Sequence, residues 1–223
     1  MKTLIISDFS KTFTDPSCST TWSVFAKSGL LGSEYTAERN RLYGEYHDFE
    51  LAGDLEKTKE WWGKHGELFV TYGLTKELIS RIVADEKYFK PRLGLSEFFK
   101  FIQENNISLH IVSSGISQFI EEFLRIHNAP EGIVVYGNEL QLKDSQVVGF
   151  DHSSIITTLN KQDGLISTNT DCDKIVLLGD DETDLAMYKG SNVQSFGFTD
   201  EERGFDVKFG KNASFSNLIS HLS

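Results

Sequence analysis

Four short apolar runs punctuate the chain: Leu4 to Ile6, Ile107 to Val112, Gly132 to Tyr136 and Lys174 to Leu178. Each has the length of a buried strand, and all but the third end directly in a polar cluster. Between them the spacing of apolar positions changes to that of a helix. Leu95 to Asn105 carries apolar side chains at 95, 98, 99 and 102, and Ile116 to Ile126 repeats the pattern at 116, 119, 120, 123 and 124. Strands alternating with amphipathic helices predict right-handed crossovers and a mostly parallel sheet. The fold class is therefore α/β, with a Rossmann-like core.

The stretch from about Ser17 to Phe89 breaks this alternation, being rich in aromatic and charged residues and without a strand-like run. It reads as a helical cap inserted after the first strand, so that residues 1–16 and 90–223 form the core and residues 17–89 the cap. Its predicted helices are Cys18 to Lys27, Ser33 to Tyr46, Leu55 to Tyr72 and Lys76 to Tyr88, with Ser33 and Thr75 as N-caps. Pro91 and Gly94 mark the return to the core. Val134 to Phe150 reads as a small hairpin turning at Lys-Asp-Ser-Gln.

The length of 223 residues accommodates one α/β domain with an insertion, and the formal charge of −11 argues against a nucleic acid or an anionic membrane as the main partner. A small phosphorylated molecule is the simpler partner once the polar clusters are considered. Met1-Lys2 leads into a run too short for a secretory signal, and no later run approaches the ~20 residues of a membrane span, so the cytoplasm is the default location. Cys18 and Cys172 lack metal-type spacing and read as ordinary residues.

Four polar clusters follow strands or begin helices. Asp8 ends the first strand and opens Asp8-Phe-Ser-Lys-Thr12, which puts a carboxylate at the carboxyl edge of the sheet, where open α/β folds place their chemistry. Ser113-Ser114-Gly115 offers a hydroxyl and consecutive main-chain N–H groups, an anion seat that is also compatible with a simple helix N-cap. Lys161 is a point positive charge suited to a phosphate, although a lysine taken alone is most often solvated. Gly179-Asp180-Asp181-Glu182-Thr183-Asp184 is an acidic run fit for a hard cation such as Mg²⁺, and crowded carboxylates after a buried strand are costly without one. A nucleophilic carboxylate, a phosphate seat, a lysine and metal-binding acids together describe phosphoryl transfer through an aspartyl-phosphate.

In these clusters and their order the chain resembles the haloacid dehalogenase superfamily, with a helical cap between the first and second motifs. The stretches Ile-Val-Ser-Ser-Gly-Ile-Ser, Thr-Leu-Asn-Lys-Gln-Asp-Gly and Leu-Leu-Gly-Asp-Asp-Glu-Thr-Asp-Leu look most like the cytosolic pyrimidine 5′-nucleotidases. So does the cap segment Tyr46-His-Asp-Phe-Glu50 followed by Glu60-Trp61-Trp62. A weaker likeness is to the plant phosphatase domain that acts on thiamine monophosphate. The resemblance implies Asp8 as nucleophile and Mg²⁺ ligand and the Ser10 carbonyl as a second ligand. It implies Ser113 and the Ser114 and Gly115 amides as phosphate holders, Lys161 as charge clamp, Asp180 as third ligand, and Asp184 as support for the metal site. Glu50 matches a cap position facing the active site and stands as a specificity residue. Trp62 is a candidate platform for a base, although adjacent Trp61 and Trp62 cannot share one helix face.

The departure from the family pattern is Ser10, where its phosphatases carry an aspartate that protonates the departing alkoxide and then deprotonates the attacking water. A hydroxyl does not titrate near neutrality, which removes general acid–base help of ~10²–10⁴-fold unless another group supplies it. His47, Asp48 and Glu50 in the cap are the candidates. Three outcomes stay open: a replacement acid, slow turnover, or a protein that only binds its phosphorylated ligand.

Overall fold

The computed structural model describes residues 2–164, 172–202 and 204–222. Six strands form one parallel sheet in the order β3-β2-β1-β6-β7-β8: β1 Thr3–Ser7, β2 Ser108–Ile116, β3 Val134–Asn138, β6 Lys174–Gly179, β7 Val193–Gly197 and β8 Val207–Lys208. β4 Leu140–Lys143 and β5 Gln146–Phe150 make a separate antiparallel pair. Among the described residues eight helices accompany them: α1 Val24–Ser28, α2 Gly32–Leu51, α3 Leu55–Thr71, α4 Lys76–Val83, α5 Glu86–Phe89, α6 Leu95–Glu104, α7 Ser117–Ile126 and α8 Phe215–Leu222. Two 3-10 turns, Lys161–Gly164 and Glu182–Met187, flank β6 in sequence. The result is the Rossmann-like α/β core read from the sequence.

Alternation along the strands explains why the sheet is buried on both faces. Ile5, Ile111, Val176 and Leu178 pack into the large cluster with Phe98 and Phe119 and Phe215 from the helices. Leu4, Ile6, Val112, Ile175 and Leu177 join Met187 on the other face. β1 lies between β2 and β6, where the strand order reverses, so the residues after β1 and β6 emerge side by side at the crevice such folds use for ligands.

Several boundaries differ from the sequence reading. The helix expected from Cys18 begins only at Val24, because hydroxyls before it serve other bonds: Ser23 Oγ accepts from Thr20 N, and Thr21 Oγ1 accepts from Ile116 N. Ser33 is not an N-cap, since α2 starts at Gly32 after a Gly29–Gly32 turn with Gly29 at φ 72°. α2 also runs past Tyr46 to Leu51. Thr75 does cap α4, accepting from Leu78 N, but the predicted helix over 76–88 divides at Asp85, whose carboxylate caps α5. The segment 134–150 is not one hairpin: β3 pairs in parallel with β2, and only β4 and β5 form the antiparallel pair. α3 sits directly on β5, and a Cβ at Gly66 would collide with the Phe150 ring.

Candidate active site

Asp8 is the first residue past β1, and its N–H still donates to Leu178 O at 2.9 Å, so the strand ladder itself fixes where the carboxylate begins. Asp180 occupies the equivalent place after β6. Asp184 follows in the second 3-10 turn, and its Oδ2 accepts from the Asp180 and Asp181 amides at 2.9 and 3.1 Å. Gly179 makes this approach possible, because a Cβ there would collide with the Asp184 carboxylate. Asp181 caps the same turn by accepting from Thr183 N.

Lys161 arrives from a different segment and closes the cluster. Its Nζ donates to Asp8 Oδ1 at 2.8 Å and to Asp184 Oδ1. The three side chains are 6%, 5% and 1% exposed for Lys161, Asp8 and Asp184, so the charges meet almost out of water. Asn160 holds the lysine's turn, accepting from Thr157 N and Thr157 Oγ1 at 2.6 and 2.7 Å while donating to Ile155 O.

Electrostatics follow from this crowding. Burial is the main influence pushing Asp8 up to about 6, with Lys161 opposing it and Asp184 adding to it. Burial first, then Asp8 and Asp184, push Asp180 up to about 8. Burial alone would depress the Lys161 ammonium, but its two carboxylates outweigh that and hold it above its ordinary value. Oxygens of Asp8, Asp180 and Asp184 lie within 4.8 Å of one another, and among the described residues no donor bonds the Asp180 carboxylate. An all-oxygen set in which the pKa values of Asp8 and Asp180 are pushed up is short of positive charge, which fits a hard divalent cation such as Mg²⁺.

These residues open on a cavity of about 480 Å³. Asp8, Ser10, Glu50, Trp62, Ser114, Gly115, Lys161, Asp180 and Asp184 all line it, so nine of the sequence-predicted site residues come together. Ser113 does not line it: it is buried, and its Oγ accepts from Gly115 N at 3.0 Å. Nor does the Ser113-Ser114 pair cap a helix, because β2 continues through Ile116 and α7 starts at Ser117 with no side-chain cap. Of the three cap candidates for an acid, only Glu50 reaches the cavity, and its carboxylate accepts from Thr158 Oγ1 at 2.8 Å. Trp62 lines the cavity, whereas Trp61 packs with Leu42 and Tyr46.

Sequence reasoning missed Lys11, Thr20, Trp22, Leu51 and Thr158, which also line the cavity. Trp22 is 4.5 Å from Trp62 between ring centroids, and its Nε1 donates to Ser114 O at 2.7 Å. Asn138 Nδ2 donates to the same carbonyl at 2.8 Å and also to Ile156 O. The only sequence signal at Trp22 was an aromatic residue closing a Ser/Thr run, which carries no periodicity.

The family model described as pyrimidine 5′-nucleotidase (UMPH-1) matches residues 5–203. A 7-methylguanosine phosphate-specific 5′-nucleotidase of Gallus gallus is 27% identical, over 91% of this chain and 79% of that protein. Among solved structures, cytosolic 5′-nucleotidase IIIB bound to cytidine superposes with a TM-score of 0.81 at 22% identity, covering 98% of this chain and 85% of that one. A substrate-bound phosphoserine phosphatase gives a TM-score of 0.63 at 16% identity, covering 99% and 98%. The match over residues 5–203 means that the chain belongs to the pyrimidine 5′-nucleotidase family and is a phosphomonoester hydrolase, with the α/β fold of the haloacid dehalogenase-type hydrolases.

Proposed function

We propose that this protein is a Mg²⁺-dependent phosphatase of nucleoside 5′-monophosphates that works through an aspartyl-phosphate on Asp8. The observation that carries the reading is the buried bridge from Lys161 to Asp8 and Asp184, which joins three distant segments at the sheet's carboxyl edge. A structural ion pair of this burial gains little net stability, so a reactive role accounts for it better.

Asp8 Oδ attacks phosphorus, and the bond from phosphorus to the ester oxygen breaks. Water then attacks the acyl-phosphate, releasing phosphate and restoring the carboxylate. Lys161 offsets charge on the transferring group, and the main chain at Ser114 and Gly115 seats its oxygens. Asp8, Asp180 and the Ser10 carbonyl would hold the cation, which when bound would neutralise phosphate charge and bring Asp8 to its ionised form. Asp184 has both oxygens engaged by Lys161 and main-chain amides, so its part is to hold Lys161 and the 180–181 turn in place.

Trp22, Trp62 and Leu51 give the cavity an apolar side, with Glu50 as its carboxylate, and this supports a flat ring on the leaving group. A pyrimidine nucleotide fits the family. A 7-methylguanosine nucleotide, whose methylated ring is cationic, fits Glu50 and the relative from Gallus gallus. Thiamine monophosphate combines a phosphate with a cationic ring and belongs in the same comparison. We propose residues 17–89 as the cap that supplies this side of the cavity.

One observation favours a second reading, a protein that holds a phosphorylated ligand with little turnover. Ser10 is no acid, and the cap carboxylate that reaches the cavity is already bonded to Thr158. Phosphate release from cytidine, uridine, 7-methylguanosine and thiamine monophosphates, with Mg²⁺ or chelator and beside Asp8→Asn, separates the two. Release that needs both Mg²⁺ and Asp8 is the expected result. Binding of the same compounds without release above the Asp8→Asn control would establish the second reading.

A further inference from the structure

Arg92 is 2% exposed and has no carboxylate partner in hydrogen-bond range among the described residues. Its guanidinium instead donates to four main-chain carbonyls. Nε bonds Thr12 O and Nη1 bonds Lys211 O and Ala213 O, each at 2.8 Å, and Nη2 bonds Lys11 O. The guanidinium carbon lies 4.1 Å from the Phe198 ring centroid. A planar fork with five donors can grip several carbonyls at fixed angles, which an ammonium cannot.

The grip falls on an unusual piece of backbone. Lys11 is in the left-handed region at φ 59°, a conformation a lysine keeps only where its surroundings impose it. Its N–H is held by Thr14 Oγ1 at 2.8 Å and its carbonyl by Arg92. Ser10 is joined to Lys11 by one peptide plane, and Asp8 lies two residues earlier. Arg92 also sits where the chain returns from the helical insertion, its own N–H donating to Phe13 O at 2.8 Å and Pro91 bridging Thr14. Burial pulls the guanidinium down to about 10, with Asp180 and Asp15 opposing, so it stays charged at neutral pH.

From this we infer that Arg92 is a positioning residue for the phosphatase site: it sets the Lys11 turn, and through it the Ser10 main chain next to Asp8. The inference rests on Asp8 and Ser10 forming the reacting site as proposed above. A guanidinium placed only for stability would be indifferent to which carbonyls it bonds. Here two of the four belong to the turn after the nucleophile and two to the segment before α8, so one side chain ties the two segments together.

The test compares wild type with Arg92→Lys, which keeps the charge but not the fork, and Arg92→Met, which keeps neither. Amide hydrogen exchange in metal-free protein reports the turn directly. Both variants should show faster exchange at residues 11–14, with β6 amides protected as in wild type. In phosphate release per folded molecule, kcat should fall on the order of 10²-fold for Arg92→Met, the scale of a 1 Å misplacement, with KM changed less than threefold. The Mg²⁺ concentration for half-maximal thermal stabilisation should rise in parallel. Uniform loss of protection across β6 and residues 11–14, or unchanged kcat and Mg²⁺ response, would overturn the positioning role. Should Arg92→Met fail to fold, Arg92→Lys decides by the same readouts. A wild type without phosphatase activity would refute the reading of the site, and the exchange data would still judge whether Arg92 sets the turn.

Discussion

Trp22 Nε1 donates to the carbonyl of Ser114 at 2.7 Å across 92 residues of sequence. Through this bond the entry to the helical insertion holds the end of β2, where the phosphate seat is proposed. Trp22→Phe keeps an aromatic ring, though a smaller one, and removes the donor; the lost bond alone is a net loss of about 0.5–1.5 kcal/mol. KM for the phosphomonoester is expected to rise about 2–12-fold, the same energy expressed as a ratio, with kcat nearly unchanged. Steady-state kinetics check it, and an effect confined to kcat would place Trp22 elsewhere in the cycle.

Lys161 is clamped between Asp8 and Asp184, so its removal leaves two buried carboxylates facing each other. Lys161→Met is expected to lower kcat by on the order of 10²–10³-fold and stability by about 3 kcal/mol or more. Adding Asp8→Asn to Lys161→Met removes one of the stranded charges and should recover part of the lost stability, a non-additivity that denaturant unfolding of the four proteins measures. Strict additivity would mean that the two groups do not interact.

Ser10→Asp restores a titratable group beside Asp8. If the departing alkoxide now leaves without a proton donor, turnover on nucleotide substrates should rise by up to ~10²-fold. The gain should be much smaller on p-nitrophenyl phosphate, whose leaving group needs no proton. Equal gains on both substrates would indicate a change in geometry rather than acid catalysis.

Asp180 carries a cation-dependent prediction. Burial first, then Asp8 and Asp184, raise its folded pKa from 3.8 to about 8, so its contribution to stability is fully present below 3.8 and is lost as pH rises through about 8. Without metal, Asp180→Asn should therefore melt above wild type at pH 8.5, by roughly 2–4 °C for each kcal/mol recovered. With Mg²⁺ the order should reverse, because only wild type gains binding energy. Mg²⁺ binding near neutrality should also release protons, measurable by calorimetry in buffers of different ionisation enthalpy. Absence of proton release would mean that these carboxylates are already ionised.

How much of this was legible before any coordinates depends on whether a signal is local. β1, β2 and β6 announce themselves as apolar runs, and Asp8 and Asp180 follow from where those runs stop. Lys161 was readable only from its place before the last strand and among the other polar clusters, since nothing in the spacing of a single lysine says that it will meet Asp8. β7, with Gln194 and Ser195 inside it, and the two-residue β8 have too little apolar pattern to be seen as strands. The paired tryptophans illustrate the same limit. Adjacent positions on a helix point Trp61 and Trp62 in different directions, yet their rings stack at 5.1 Å between centroids, and which of them faces the cavity depends on how α3 lies on β5, where Gly66 admits the Phe150 ring. Arg92 looked like part of a turn because its four partners are carbonyls, which any sequence contains.

His65 tests the packing of the helical segment independently of catalysis. It is 1% exposed, its Nε2 is 3.1 Å from Tyr35 Oη, and its Nδ1 is buried without a hydrogen-bond partner among the described residues. Burial, with a smaller push from Arg39, lowers its pKa from 6.5 to about 3, so the folded protein keeps it neutral where the unfolded chain would protonate it. Its contribution is therefore present above 6.5 and is lost as pH falls toward 3. Asp8 and Asp180 act in the opposite sense over the higher part of that range, so the informative quantity is a difference between proteins. His65→Phe should be less stable than wild type at pH 7.5, because the Tyr35 hydroxyl loses its partner, but it should lose less stability between pH 6.5 and 4.5. Parallel stability curves for the two proteins over that interval would show that His65 is protonated in the folded state and is not the acid-sensitive element of this core.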